Sequence, residues 1–118
     1  NYNKFLLLSG IDRSNLEKNI VNNFSKPIEF IDTSTKTIGE VIPYLKKCKF
    51  VIGNDTGFSH LSVAYNKKTF VILGDCPPHT YSNLILPIDK DDDVKRSIDS
   101  IKTIKLEKVL NYLNKHLI

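Results

Sequence analysis

Methionine is absent from all 118 residues, position 1 included, so the chain is expected to be a segment of a longer, processed or trimmed protein. No apolar run approaches the roughly 18 residues of a membrane-spanning helix. The apolar stretch near the start, Phe5–Leu8, is too short for the core of a secretory signal and is expected to form a buried strand instead. Only two cysteines occur, Cys48 and Cys76, far apart and in no metal-ligand spacing. Nothing therefore points to a disulfide framework or an oxidising compartment. Cys48 is expected to be a packed free thiol where a helix meets a strand. Glycine is also scarce, and no glycine-rich loop follows the first strand, where only Ser9-Gly10 stands. That weakens a mononucleotide kinase or a dinucleotide-dependent dehydrogenase.

What is present is ordinary for a folded domain. Hydrophobic residues make up 41% and charged residues 25%, which excludes a disordered chain and favours one domain over 1–118. The net charge is +4, but the lysines are scattered and read first as a solvated face, with weak attraction to an anionic substrate or membrane as the alternative. No basic stripe interleaved with aromatics occurs, so nucleic acid is not an expected partner.

Short apolar strands alternate with helical periodicities. Strands are expected at Lys4–Leu8, Ile28–Ile31, Phe50–Ile52, Thr69–Leu73 and, more weakly, Leu84–Leu86. Helices are expected at Asn15–Phe24, capped by Asp12 or Ser14; from Thr37 onward, where Thr37 and Glu40 have capping-box spacing; from about Thr56 to Tyr65; and at Leu106–Leu117. The second carries Ile38, Val41, Ile42 and Leu45 on one side and Pro43 within it, which predicts a kink. The last should turn Val109, Leu110, Leu113 and Leu117 inward. This alternation predicts an α/β fold: a Rossmann-like, three-layer α/β/α arrangement around a mostly parallel sheet. Ligands of such sheets bind beyond the carboxyl ends of the strands, so the loops Ser9–Ser14, Asp32–Thr37, Gly53–His60 and Gly74–Ser82 should crowd one edge.

The richest segment is Gly53-Asn54-Asp55-Thr56-Gly57-Phe58-Ser59-His60-Leu61. A strand stops, small residues turn the chain, and a helix begins. The first amides of a helix have no partner within it, and the helix dipole adds partial positive charge, so a phosphate or diphosphate can sit on them. Gly57 permits close approach, Thr56 adds a hydroxyl, and His60 lies one turn in. The plainer alternative makes Asp55 an N-cap and His60 a satisfied surface histidine. His79 reads first as an exposed loop residue and second as a ligand contact, Tyr81 as a base-stacking candidate, and His116 as a complement to the last helix's dipole.

The same segment resembles the donor-binding signature of family 9 glycosyltransferases, the lipopolysaccharide heptosyltransferases and their relatives. That signature is an Asp, a Thr or Ser, a Gly, two variable positions, then His-Leu, met here by Asp55, Thr56, Gly57, His60 and Leu61. The hydroxyl-rich loop Thr35–Thr37 is also similar. The resemblance implies one lobe of a GT-B enzyme, the C-terminal lobe, which binds a nucleotide-diphosphate sugar, commonly ADP-heptose. It implies donor contacts at Asp55, Thr56, Gly57, His60, Gly74 and Thr35, no metal and no cofactor, and transfer of a heptose-like sugar to a lipopolysaccharide or related glycan. The acceptor lobe, its acid-base residue and a lysine-bearing donor loop would lie upstream, so the chain alone is expected to be inactive. A cytoplasmic location follows, with peripheral contact at the inner membrane. Two departures stand out: Gly74-Asp75-Cys76 occupies the place of the family's frequent Gly-Pro-Thr, and Asp12, within Gly10–Ser14, is the candidate donor contact that would substitute for the ribose-holding Glu common there. The competing reading is a non-catalytic nucleotide-binding or interaction module on the same scaffold.

Overall fold

A computed structural model describes residues 4–7, 22–23, 29–33 and 35–117. The chain divides into two compact units, 1–47 and 48–118.

In the first unit, β1 (Lys4–Leu7) and β2 (Glu29–Asp32) pair in parallel, Lys4 opposite Glu29 and Leu7 opposite Asp32. The second strand thus sits one residue later than its apolar run predicts. The helix expected at Asn15–Phe24 lies almost wholly outside the described residues. Helix α1 (Ile38–Lys47) opens with the expected capping box: the Thr37 amide donates to Glu40 Oε2 at 2.7 Å, and the Glu40 amide donates to Thr37 Oγ1 at 3.3 Å. The hydrogen bonds from Thr37 hold the Glu40 carboxyl below its ordinary pKa. Pro43 does not end the helix. It gives up only its own bond to the Gly39 carbonyl and faces solvent. Val41 and Leu45 are the buried residues, one turn apart. Ile38 is 61% exposed, because the first turn is held by its cap rather than by packing.

The second unit is a three-stranded parallel sheet of order β3-β4-β5, from β3 (Phe50–Asn54), β4 (Lys68–Ile72) and β5 (Ile85–Ile88). Helix α2 (Gly57–Ala64) connects β3 to β4, and an irregular segment connects β4 to β5. Every pairing among the described strands is parallel, as in an α/β fold. Pro87 is tolerated in β5 because that strand lies at the sheet's edge, with a partner on one side.

The central strand β4 shows why the layers form. Successive side chains of a strand point to opposite faces. Val71 clusters with Val63 of α2, Leu73 and Ile85 on one face. Phe70, fully buried, turns the other way and meets Tyr112 and His116 of α3 (Leu106–Leu117) edge-on, with centroids 6.3 and 6.4 Å away, and Phe50 at 6.0 Å. The two helices therefore cover opposite faces, a three-layer α/β/α arrangement within this unit. The inward stripe expected on α3 needs correction. None of its residues is buried, and Leu110 is 49% exposed. Val109, Leu113 and Leu117 are half-buried on the side that carries Tyr112 and His116, the rings that meet Phe70, while Leu110 falls outside that stripe.

Close approach governs the β3–α2 junction. Ser59 is buried, and its hydroxyl donates back to the Asn54 carbonyl at 2.5 Å. A Cβ at Gly53 would stand 3.3 Å from that hydroxyl oxygen, so glycine is what lets α2 fold back against the strand that leads into it. Beyond β5, a short 3₁₀ turn (Ser100–Thr103) precedes α3, its buried Ser100 hydroxyl taking the Ser97 amide at 2.6 Å.

Candidate functional site

Parallel register brings two sequence segments together. Asn54, the last residue of β3, pairs with Ile72, the last of β4, so the chain leaves both strands at the same edge. From β3 it runs through Asp55 and Thr56 into α2; from β4 it runs through Gly74 to Tyr81. Two of the four expected edge loops therefore meet. Of the other two, Ser9–Ser14, with Asp12, lies outside the described residues, and Thr35 is an exposed turn residue of the first unit.

Asp55 is the centre of the cluster, its side chain 18% exposed. An ionised carboxylate can only accept hydrogen bonds. His60 Nε2 donates to its Oδ1 at 3.1 Å, and His79 Nε2 donates to its Oδ2 at 3.0 Å. With its proton on Nε2, His60 presents Nδ1 as an acceptor, and the Tyr81 hydroxyl donates to it at 2.6 Å. The Tyr81 ring also stacks on the His60 ring at 5.8 Å, and the two histidine rings meet edge-on at 5.0 Å. One carboxylate thus fixes two imidazoles, and a tyrosine fixes one of them again.

Asp55 is not the N-cap. Thr56 holds that position, with extended backbone (φ −138°, ψ 169°) and no side-chain bond to the helix. Its carbonyl takes the Ser59 amide at 3.0 Å and the His60 amide at 3.3 Å. The helix supplies no acceptor for the amides before those two. Thr56 and Gly57 are both exposed, and among the described residues nothing lies within 4 Å of where a Gly57 Cβ would stand, so within this unit the start of α2 is open.

Gly74 takes a different part. Its carbonyl accepts from Arg96 Nη1 at 3.4 Å, and the Cys76 carbonyl accepts from the same nitrogen at 2.9 Å. Arg96 also grips Asp89, just after β5, through Nη1–Oδ1 at 3.1 Å and Nη2–Oδ2 at 2.6 Å. These bonds hold the Asp89 carboxyl below the usual carboxylate range and push the Arg96 guanidinium up. The guanidinium thereby fastens the start of the histidine-bearing loop to the end of β5. Sequence reasoning passed over this pair, since nothing local relates Asp89 to residues 74–76. Cys76 is exposed and its thiol is pushed up, first by the neighbouring Asp75 charge. Cys48 is half-buried, and its thiol is pushed up by that burial.

His79 and Tyr81, given lesser parts in the sequence reading, join the cluster directly. His116 does not: it packs on Phe70 and Tyr112, and its carbonyl accepts from Lys68 Nζ at 2.9 Å. Among the described residues, no helix is long and apolar enough to cross a membrane.

Neither the comparison with individual curated proteins nor that with solved structures gives a match. The family comparison does: glycosyltransferase family 9 (heptosyltransferase) matches residues 6–115, nearly the whole chain and all of the Asp55–Tyr81 cluster. With the signature Asp55-Thr56-Gly57 and His60-Leu61 set at the mouth of a parallel sheet, the chain belongs to glycosyltransferase family 9.

Proposed function

We propose that this chain is the donor-binding lobe of a GT-B glycosyltransferase, and that the diphosphate of a nucleotide-diphosphate sugar rests on the open N-terminus of α2. The observation that carries this reading is the exposed, unobstructed start of that helix at Thr56 and Gly57. Unpartnered amides and the positive end of the helix dipole favour an anion there. The Thr56 hydroxyl, unused as a cap, is free to donate to a phosphate oxygen. An aspartate beside an anion site needs a reason, and the two imidazoles supply one. They occupy both Asp55 oxygens, so the carboxylate acts as an anchor for the His60 ring, which faces the ligand, and keeps lone pairs for sugar hydroxyls.

The chemistry is transfer of a heptose-like sugar, from ADP-heptose or a similar donor, to a lipopolysaccharide or related glycan. The acceptor oxygen attacks the anomeric carbon, the bond from that carbon to the diphosphate breaks, and the acceptor's proton passes to a base in a second, acceptor-binding lobe. The lobe described here stabilises the departing nucleoside diphosphate through helix amides and positioned donors. The glycolipid acceptor places the enzyme at the cytoplasmic face of the inner membrane, in peripheral contact.

Isothermal titration calorimetry with ADP tests the site. The wild-type chain should bind weakly, and Asp55→Ala and His60→Ala should each lose roughly 10-fold or more, the cost of a charge-assisted bond. Equal affinity in wild type and both variants would sink the assignment.

A further inference from the structure

We propose that Asp55, His60 and His79 form a binding site for one divalent transition-metal cation. Each residue offers a ligand atom, and the three atoms lie within 4.8 Å of one another. The carboxylate oxygens stand 3.1 and 3.0 Å from the two Nε2 atoms. Metal–nitrogen and metal–oxygen bonds of about 2.0–2.2 Å at tetrahedral or octahedral angles set neighbouring ligand atoms roughly 3.0–3.4 Å apart, so these separations need little change. Both histidine side chains are 40% exposed, so solvent-facing space is available for the ring adjustment that would bring the two nitrogens onto one ion. Two imidazoles and one carboxylate are a ligand set suited to Zn²⁺, Co²⁺ or Fe²⁺ and poor for Mg²⁺ or Ca²⁺, which prefer oxygen throughout.

A second feature separates this trio from an ordinary hydrogen-bonded group. A histidine that ligates through one nitrogen characteristically has the other held by a hydrogen bond, which fixes its ring. Tyr81 stands at His60 Nδ1, on the side of the ring away from Asp55, at 2.6 Å. On metal binding, the His60 proton leaves Nε2 and the ring carries its proton on Nδ1, donating to the Tyr81 oxygen. The same contact serves both tautomers, with its direction reversed. Three protein ligands leave positions on the exposed side for water or an anion. The site shares Asp55 and His60 with the donor site proposed above but does not depend on it, because the cation needs no nucleotide to bind.

Titration of the full chain with Co²⁺ alone tests this. One equivalent should bind and give visible d–d absorption, competed away by Zn²⁺ and not by Mg²⁺. His79→Ala should abolish the band. This loop residue is no part of the proposed donor contacts, and circular dichroism should show the fold unchanged. Tyr81→Phe, which keeps the ring and removes the hydroxyl, should weaken Co²⁺ about 10-fold. No band, or unchanged affinity in His79→Ala, overturns the proposal. If ADP binds in EDTA while Co²⁺ gives no band, the metal site fails and the donor site stands. If Co²⁺ binds and ADP does not, the outcome is the reverse.

Discussion

Phe70 supports both faces of the argument, since it sits in the strand from which His79 and Tyr81 depart. Its ring is fully excluded from water and meets three other rings edge-on, at 6.0–6.4 Å. Truncation to alanine forfeits the transfer free energy of the ring, about 1.5–3 kcal/mol, and leaves a cavity. Measured Phe→Ala losses in cores are about 3–5 kcal/mol. Here the low end applies. Two of the three neighbours belong to α3, which has no buried residue and can settle inward as the cavity forms. Phe70→Ala should therefore cost about 3 kcal/mol, and Phe70→Leu, which keeps most of the volume, under about 1.5. Urea unfolding followed by circular dichroism reads the difference, provided the slope with denaturant is unchanged. In a chain of 118 residues, 3 kcal/mol corresponds to a fall of roughly 10 °C in Tm. A Phe70→Ala midpoint matching that of Lys102→Ala, a surface change, would refute the packing described for β4 and α3.

Two further perturbations probe the supports of the site. Gly53→Ala should cost about 1 kcal/mol by pressing a methyl on the Ser59 hydroxyl 3.3 Å away, and should cost less once Ser59→Ala has removed that oxygen; equal losses in both backgrounds would show that the helix does not approach the strand as described. The Asp89–Arg96 pair should make stability fall in acid. The folded Asp89 pKa is lowered, so the pair's contribution is complete above the unfolded value of about 3.9 and disappears as pH drops through the lower folded value. The unfolding midpoint of Asp89→Asn should accordingly be lower than wild type at pH 6 and converge on it as the folded carboxyl protonates in acid. Curves that stay parallel would remove the pair from the list of supports.

The parts of this structure that depend on nearby residues are legible in the sequence. The capping box of Thr37 and Glu40 forms as its three-residue spacing requires, and α3 spans Leu106–Leu117, the limits its periodicity sets. Strand ends are less legible, because a parallel ladder extends as far as its neighbour allows. Pairing with β4 carries β3 two residues past its apolar run, to Asn54. On α3, periodicity locates the half-buried Val109, Leu113 and Leu117 but not the exposure of Leu110, nor that Tyr112 and His116, one turn apart, are the rings that meet Phe70. In the candidate site, the contiguous motif from Asp55 to His60 is visible at once. Its partners Tyr81 and His79 arrive from 21 and 24 residues away, and Arg96 reaches the loop that carries them from 20 residues beyond Cys76. Only the register of two adjacent strands relates these positions.

That register explains why the cluster has the composition it does. A helix start of the kind proposed to hold the donor's diphosphate has no inherent use for a carboxylate, and Asp55 would oppose that anion if its oxygens faced it bare. The loop after β4 resolves the conflict by bringing a second imidazole to the oxygen that His60 leaves unoccupied. Arg96 makes this possible from a distance, since its bonds to the Gly74 and Cys76 carbonyls set where the loop begins and hence where His79 can reach. A loop whose first carbonyls are held by a guanidinium delivers a histidine to the motif's aspartate, and it is this histidine that turns a pair of hydrogen-bonded side chains into a set of three potential ligands.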